Sequence, residues 1–427
     1  MLLASLIIAA TAVASPPPDS APHVIFISVD TLRADRMGFM GNPHGLTPNI
    51  DAWAEDALIF DQAVCEIPLT GPSFGAMFSS LPPRSTGMTR NGLPMPMEVP
   101  LTAEVFQEAG YHTVCVQSNW TLKPELSQLH RGFEVYDADF SRRRWIVLKS
   151  ERRANEVTDH ALAALEEWDG ETPLFLWVHY SDPHAPYRYH RRLNPHGRSP
   201  HLVGREESIK IRYDTEVAYT DEQIGRLMDA LPTENTAIMF ISDHGESLFE
   251  HDYLGHGRRL NEPSMHVPFA IAGPGIEPGR TDQPSQGIDV GPTLLGMAGL
   301  SVPESMTGID LVRDRADEGR IRIVETYGGA VPRLPGARAM MADAEPQRQA
   351  VYAGPWKLVV TDTNNKLFHL SRDPGESESL LARERTRVET MRELLAAWEE
   401  STPKGRAEAA ELTAEDLEAL ESLGYLE

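Results

Sequence analysis

The sequence predicts an α/β fold, a three-layer sandwich around a mostly parallel central sheet, followed by a smaller C-terminal α+β subdomain. Three observations lead there. Short apolar runs alternate with helical patterns through residues 22–303. Several of those runs end in polar, chemistry-bearing residues. Past Pro303 the pattern changes to short strand candidates separated by turn signals.

Taken in order, the chain opens with "MLLASLIIAATAVASPPPDS". Its apolar run, residues 2–14, is too short to span a bilayer, and it ends in small residues before a proline-rich spacer. Residues 1–21 therefore read as a signal peptide and spacer. They imply a periplasmic or secreted protein with no transmembrane anchor in the mature chain. Four runs then read as buried strands: "HVIFISVD" ends in Asp30, "YHTVCVQSN" in Ser118 and Asn119, "PLFLWVHYSDPH" in Asp182 and His184, and "AIMFISDHGE" in Asp243, His244 and Glu246. Between them, "NEVTDHALAALEEW" places Val157, Ala161, Leu165 and Trp168 on one stripe. "TEVAYTDEQIGRLMDAL" does the same for Val217, Ile224, Met228 and Leu231. Such alternation implies a parallel sheet covered on both sides, with functional groups collected at the carboxyl ends of the strands. Residues 304–400 read as the smaller subdomain, with strands "RIRIVETY", "WKLVVT" and "KLFHL" and a helix near 383–400. Residues 401–427 read as a helical tail that either docks or frays.

The chain has 427 residues, and its formal net charge of −24 excludes a nucleic-acid partner, since nothing offsets the phosphates. The acidity reads more simply as a contribution to solubility. Its two cysteines, Cys65 and Cys115, fit either one disulfide or two buried thiols.

"SDHG" supplies a carboxylate and an imidazole at one strand end, and Asp30 supplies a second carboxylate at another. Two carboxylates and a histidine meeting at one edge repel or desolvate badly without a cation, so a divalent metal is expected. Thr70 in "TGPSFGAMFSSL" suits a helix N-cap, with Pro72 in the first turn, and the N–H groups of that turn suit an anion. Cap and nucleophile both remain open for Thr70 at this point. Cys65, with no base beside it, reads as a buried thiol or half of a disulfide.

Six motifs in order resemble the sulfatase branch of the alkaline phosphatase superfamily. They are "VIFISVDTLRADRMGFMG" with "TPNIDAWAEDALIFDQA", "TGPSFGAMFSSLPPRSTGM", "LFLWVHYSDPHAPY", "ISDHGESLFEHDYLGHG", "GIDVGPTLLGMAGL" and "WKLVVTDTNNKLFHLSRDPGE". The resemblance implies an alkaline phosphatase-like sandwich, a metal-dependent ester hydrolase, and catalytic domain bounds of 22–303. The departures are specific. Sulfatases carry Cys-x-Pro-x-Arg, or its Ser variant, with the nucleophile oxidised to formylglycine. Here that position is Thr70, Pro72 is in register, and Phe74 stands where the Arg would be. Formylglycine is therefore not expected. Asp30-Thr31 replaces an Asp-Asp pair, His256 aligns with a lysine, and Ser118, Asn119 and Trp120 replace a lysine-histidine motif. Thr70 with Asp30, Asp243 and His244 resembles instead the metal-activated threonine sites of the superfamily's phosphodiesterases and phosphoethanolamine transferases.

The resemblance thus implies Asp30, Thr70, Asp243 and His244 around a metal, with zinc or manganese favoured and calcium or magnesium as alternatives. Thr70, His184 and His256 are the catalytic candidates. His184, His256, Asn119 and Arg259 are the substrate-binding ones. A second metal on His256 with Asp182 or His184 is an alternative. A sulfated threonine cannot expel sulfate by re-forming an aldehyde, so Thr70 favours phosphoester over sulfate-ester turnover. The expected substrate is a small-molecule, lipid or glycan ester. Two rival readings are a phosphoethanolamine-type transferase and a non-catalytic sulfatase-like binding protein.

Overall fold

The structure, a computed structural model, describes residues 21–140, 151–328 and 347–422. The expected signal peptide falls outside the described residues. An eight-stranded sheet runs in the order Gly279–Thr281, Leu58–Phe60, Phe269–Ala272, Thr236–Ser242, His23–Val29, Leu174–Tyr180, His112–Val116 and Val135–Asp137. Phe269–Ala272 pairs antiparallel with both its neighbours, and the other pairings are parallel. All four sequence-predicted strands lie in this sheet.

Both faces of the sheet are buried, as a parallel sheet between helices requires. Val24 and Phe26 enter one core with Phe74, Met77, Phe78 and Leu294. Ile25, Ile27 and Val29 enter the other with Val157, Ala161, Val217 and Ile224. Helices Thr70–Ser79, Thr102–Glu108 and Val290–Met297 thus cover one face, while Ala154–Glu167 and Arg205–Met228 cover the other. The predicted stripes face the core, with Val157, Ala161, Val217 and Ile224 buried and Leu165, Trp168 and Met228 half-buried against it, although the second helix begins well upstream of its recognised pattern. Its last stripe residue, Leu231, is buried just past the helix end.

The C-terminal part forms a four-stranded antiparallel sheet, Ile321–Glu325, Gln347–Ala353, Trp356–Thr361 and Lys366–His369, covered by helix Arg385–Ser401. It is pinned to the main domain by Lys357, whose ammonium meets Glu262 Oε1 at 2.7 Å and Glu376 Oε1 at 2.8 Å. The tail helix Ala414–Ser422 docks: Asp416 Oδ1 accepts the Trp120 indole N–H at 2.9 Å, and Ala419 packs with Trp120 and Leu126. Cys65 and Cys115 are free, buried thiols, which settles the disulfide alternative against pairing. No helix among the described residues is long and apolar enough to cross a membrane.

Candidate active site

Strand register builds the site. Val29 pairs with Ser242 on one side and with Tyr180 on the other. The next residues, Asp30 and Asp243, therefore emerge together at the carboxyl edge. Each carboxylate is divided between two tasks. Asp30 Oδ2 accepts from Asn119 Nδ2 at 2.7 Å and from the Thr70 hydroxyl at 3.4 Å, while its Oδ1 has no hydrogen-bond partner. Asp243 Oδ1 accepts from the backbone N–H of His244 at 2.7 Å and of Thr31 at 3.2 Å, while its Oδ2 has none. His244 donates Nδ1–H to the Gly245 carbonyl at 3.0 Å, leaving the Nε2 lone pair without a partner.

That Nε2 lies 3.7 Å from Asp30 Oδ1 and 3.5 Å from Asp243 Oδ2. Burial pushes the Asp30 carboxyl up to about 6 and the Asp243 carboxyl well above its usual range, with Asp30 adding to the second shift. Burial, with His256 beside it, holds the His244 imidazole well below its ordinary value. Three buried ligand atoms without partners, aimed at one point, fit a divalent cation: two hard oxygens and one imidazole nitrogen. Among the described residues this is the one cluster of three or more such ligands. Of the residues expected for a second metal, His184 and His256 lie near each other, with ring centroids 5.3 Å apart, while Asp182 is engaged elsewhere. Asp182 Oδ2 instead accepts the Ala154 N–H at 2.8 Å, where helix Ala154–Glu167 begins.

Thr70 is the first helical residue rather than the cap, because Leu69 holds the cap position with extended backbone. Its hydroxyl faces Asp30. Ser73 Oγ is committed to the Asp243 carbonyl at 2.7 Å. Cys65 donates to the Ser264 carbonyl, and burial pushes its thiol well above its ordinary value.

Two histidines flank the site, each beside a carboxylate. His256 Nδ1 meets Glu246 Oε1 at 3.0 Å, and Tyr187 O–H donates to Glu246 Oε2 at 2.9 Å. His184 Nδ1 lies 2.7 Å from Glu151 Oε1. Burial lowers the His184 imidazole, but Glu151, Asp30 and Glu246 together hold it up to about 10. The rings of His244 and His256 are 4.6 Å apart, and those of His184 and His256 are 5.3 Å apart.

Asn119 lies between Asp30 and Thr121. Its Nδ2 goes to Asp30, while its Oδ1 accepts from Thr121 N–H at 3.0 Å and Thr121 O–H at 2.9 Å. Asn119 thus ties the Asp30 carboxylate to Thr121. Arg259 is half-buried three residues beyond His256. Sequence reasoning missed His179 and Glu151. His179 is fully buried, its Nε2 lies 4.0 Å from Asp30 Oδ2, and burial pushes its imidazole down to about 3. Phe74 packs edge-on against it with ring centroids 4.7 Å apart, so an apolar ring fills this wall. The alternation of "LFLWVHY" marks His179 only as a strand residue. Glu151 carries no local pattern at all.

The fold is an alkaline phosphatase-like α/β sandwich, and the cluster that could hold a divalent cation lies at the carboxyl ends of its strands. The sulfatase family model matches residues 22–300, and the chain belongs to that family. It is 27% identical over 407 residues to the ulvan-active sulfatase of Formosa agariphila, covering 85% of this chain and 77% of that protein. It is also 27% identical over 435 residues to the choline-sulfatase of Rhizobium meliloti, covering 84% of this chain and 82% of that one. The solved structure of the yidJ protein from Bacteroides fragilis superposes with a TM-score of 0.73 at 20% identity, over 94% of this chain and 100% of that one. The chain is accordingly a sulfatase-family ester hydrolase.

Proposed function

We propose that this sulfatase-family hydrolase works through Thr70 as a covalent nucleophile and turns over phosphate esters faster than sulfate esters. The observation that carries this reading is the Thr70 hydroxyl on Asp30 Oδ2, beside three buried, partnerless ligand atoms. Asp30, Asp243 and His244 are the residues that would hold the divalent cation. When bound, it supplies positive charge for the equatorial oxygens and for the nucleophile.

The chain's own residues supply the rest. The Thr70 hydroxyl proton passes to Asp30 Oδ2. Thr70 Oγ1 attacks phosphorus or sulfur in line, and the bond to the departing alcohol breaks. His184 holds the anion, and His256, steadied by Glu246, gives a proton to the departing oxygen. Water then attacks the phosphorus or sulfur of the threonine ester and regenerates Thr70. At that second step a phosphothreonine is hydrolysed more readily than a sulfothreonine, which lacks the aldehyde exit of formylglycine.

The names of the relatives support an ester carried on a small alcohol or a sulfated glycan. The intact ligand cluster disfavours the non-catalytic reading. The test is a panel of 4-nitrophenyl sulfate, phosphate, phosphodiester and phosphonate esters on metal-assayed protein. Intact mass on quenching should show a phosphoryl adduct on Thr70. An aldehyde at Cys65, or sulfate turnover far above phosphate, would overturn the reading.

A further inference from the structure

A cavity of about 320 Å³ lies beside the start of helix Thr70–Ser79, and its lining includes Leu69, Arg90, Leu93, Ala409, Leu412 and Leu420. Leu69 directly precedes Thr70, so cavity and nucleophile share one stretch of backbone. The loop that carries Arg90 is tied on two sides. Asn91 Oδ1 accepts the Gly71 N–H at 2.8 Å, and the Gly92 carbonyl accepts the Ala410 N–H at 3.3 Å. The far wall is the C-terminal tail, anchored through Asp416 to Trp120. Trp120 follows Asn119, the residue that bonds to Asp30.

The walls are mostly apolar apart from one cation. The Arg90 side chain is exposed and makes no hydrogen bond or ion pair with the described residues. The chain has 63 acidic side chains against 39 lysines and arginines. Among the described residues this guanidinium has no acidic partner, and it is the charge that the cavity offers to an anion.

We propose that this cavity receives the leaving alcohol of the ester, a single aromatic or compact apolar ring bearing a second anionic group that Arg90 reads. The proposal rests on Thr70 being the nucleophile. Small-molecule sites span about 300–1,000 Å³, so this volume holds one ring and not an extended chain. Bare sugar hydroxyls would find few partners against leucine and alanine walls, whereas an aromatic face is buried there at a gain. The tail is therefore a specificity element that reaches the site from the end of the chain.

The test compares kcat/KM for methyl, phenyl and 4-(carboxymethyl)phenyl esters, with phosphate and sulfate series in parallel. The two phenols have similar acidity, so their ratio reports binding. The proteins are the full chain, Ala409→Trp and Arg90→Ala, each with a thermal melt. Ala409 is exposed and lines the cavity, so a larger side chain there is placed at the cavity wall and not in a packed core, and the melt checks the fold. Ala409→Trp should lower kcat/KM on the phenyl ester roughly tenfold or more beyond its effect on the methyl ester. Arg90→Ala should lower the carboxymethylphenyl-to-phenyl ratio by roughly tenfold. Equal scaling of all three esters in both variants would overturn the proposal while leaving the Thr70 reading intact. Absence of turnover of any ester by the unaltered chain would overturn both.

Discussion

Thr70 separates two roles by magnitude. Leu69 is the cap and the Thr70 hydroxyl bonds to Asp30, so Thr70→Ala removes no helix cap. Its melting temperature should stay within a degree or two of the parent, and the metal ligands remain in place. Turnover should fall by orders of magnitude, and Thr70→Ser should recover much of it, since the hydroxyl returns and only a methyl is lost. A Thr70→Ala protein with near-parent kcat would remove Thr70 from the chemistry.

Glu66 gives a second test at the same scale. It is buried, its Oε1 accepts from Gln286 Nε2 at 3.1 Å and Ile288 N–H at 3.3 Å, and burial pushes its carboxyl up to about 8. The folded chain therefore holds a proton that the unfolded chain releases near pH 4.5. The favourable contribution is complete below that pH and is lost as pH rises through about 8, at up to about 1.4 kcal/mol per pH unit. Glu66→Gln should match the parent in acid and exceed it in urea midpoint at pH 8. A difference between the two that does not change with pH would refute this titration.

At the scale of elements, the C-terminal sheet braces the loop that follows His244. Lys357 sits between Glu262 and Glu376, and Glu376 Oε2 also accepts the Glu262 N–H at 2.8 Å. Glu262 opens the short helix Glu262–Met265, whose Ser264 carbonyl accepts the Gly245 N–H at 2.9 Å beside His244. Gly245 permits this approach, because a Cβ there would lie 2.1 Å from the Pro263 carbonyl oxygen. Lys357→Met removes the cation from buried Glu376 and half-buried Glu262, and should cost about 3 kcal/mol or more in urea unfolding. Adding Glu376→Gln should restore part of that. A single variant within about 0.5 kcal/mol of the parent would show that the cluster is solvated.

These same elements show what the sequence could and could not reveal. The long apolar strands were legible because both faces are buried, and the polar residues at their ends marked the carboxyl edge. Strand Phe269–Ala272 was not, because four residues carry too little periodicity, and its antiparallel direction is decided by pairing. Gln347–Ala353 was missed because glutamines and an arginine interrupt its apolar pattern. Asp30, Asp243 and His244 could be named because they end strong strands. Glu151 could not, since it acts on His184 through space alone, and the tie that Asn119 makes depends on Thr121 and Asp30 together.

For the molecule as a whole, the candidate cation site and the fold are linked through Asp243. Without a cation, Asp30 and Asp243 crowd two buried carboxyls into the junction of the two central strands, and each resists ionisation. With one, the same pair would be the ligand set, and binding would stabilise the native state by about 2.7 kcal/mol at a hundred times Kd. Replacement of one carboxylate should therefore shift stability in opposite directions in the two conditions. Asp243→Asn removes the repulsion and should melt above the chelator-treated parent. It should melt below the parent when zinc or manganese is present, because it has lost a ligand. Thermal melts of both proteins, with chelator and with zinc, manganese, calcium or magnesium added back singly, read this crossing directly and rank the metals. If the two melting curves keep the same order in every condition, Asp243 is a structural carboxylate and the cation site is not where these three side chains place it.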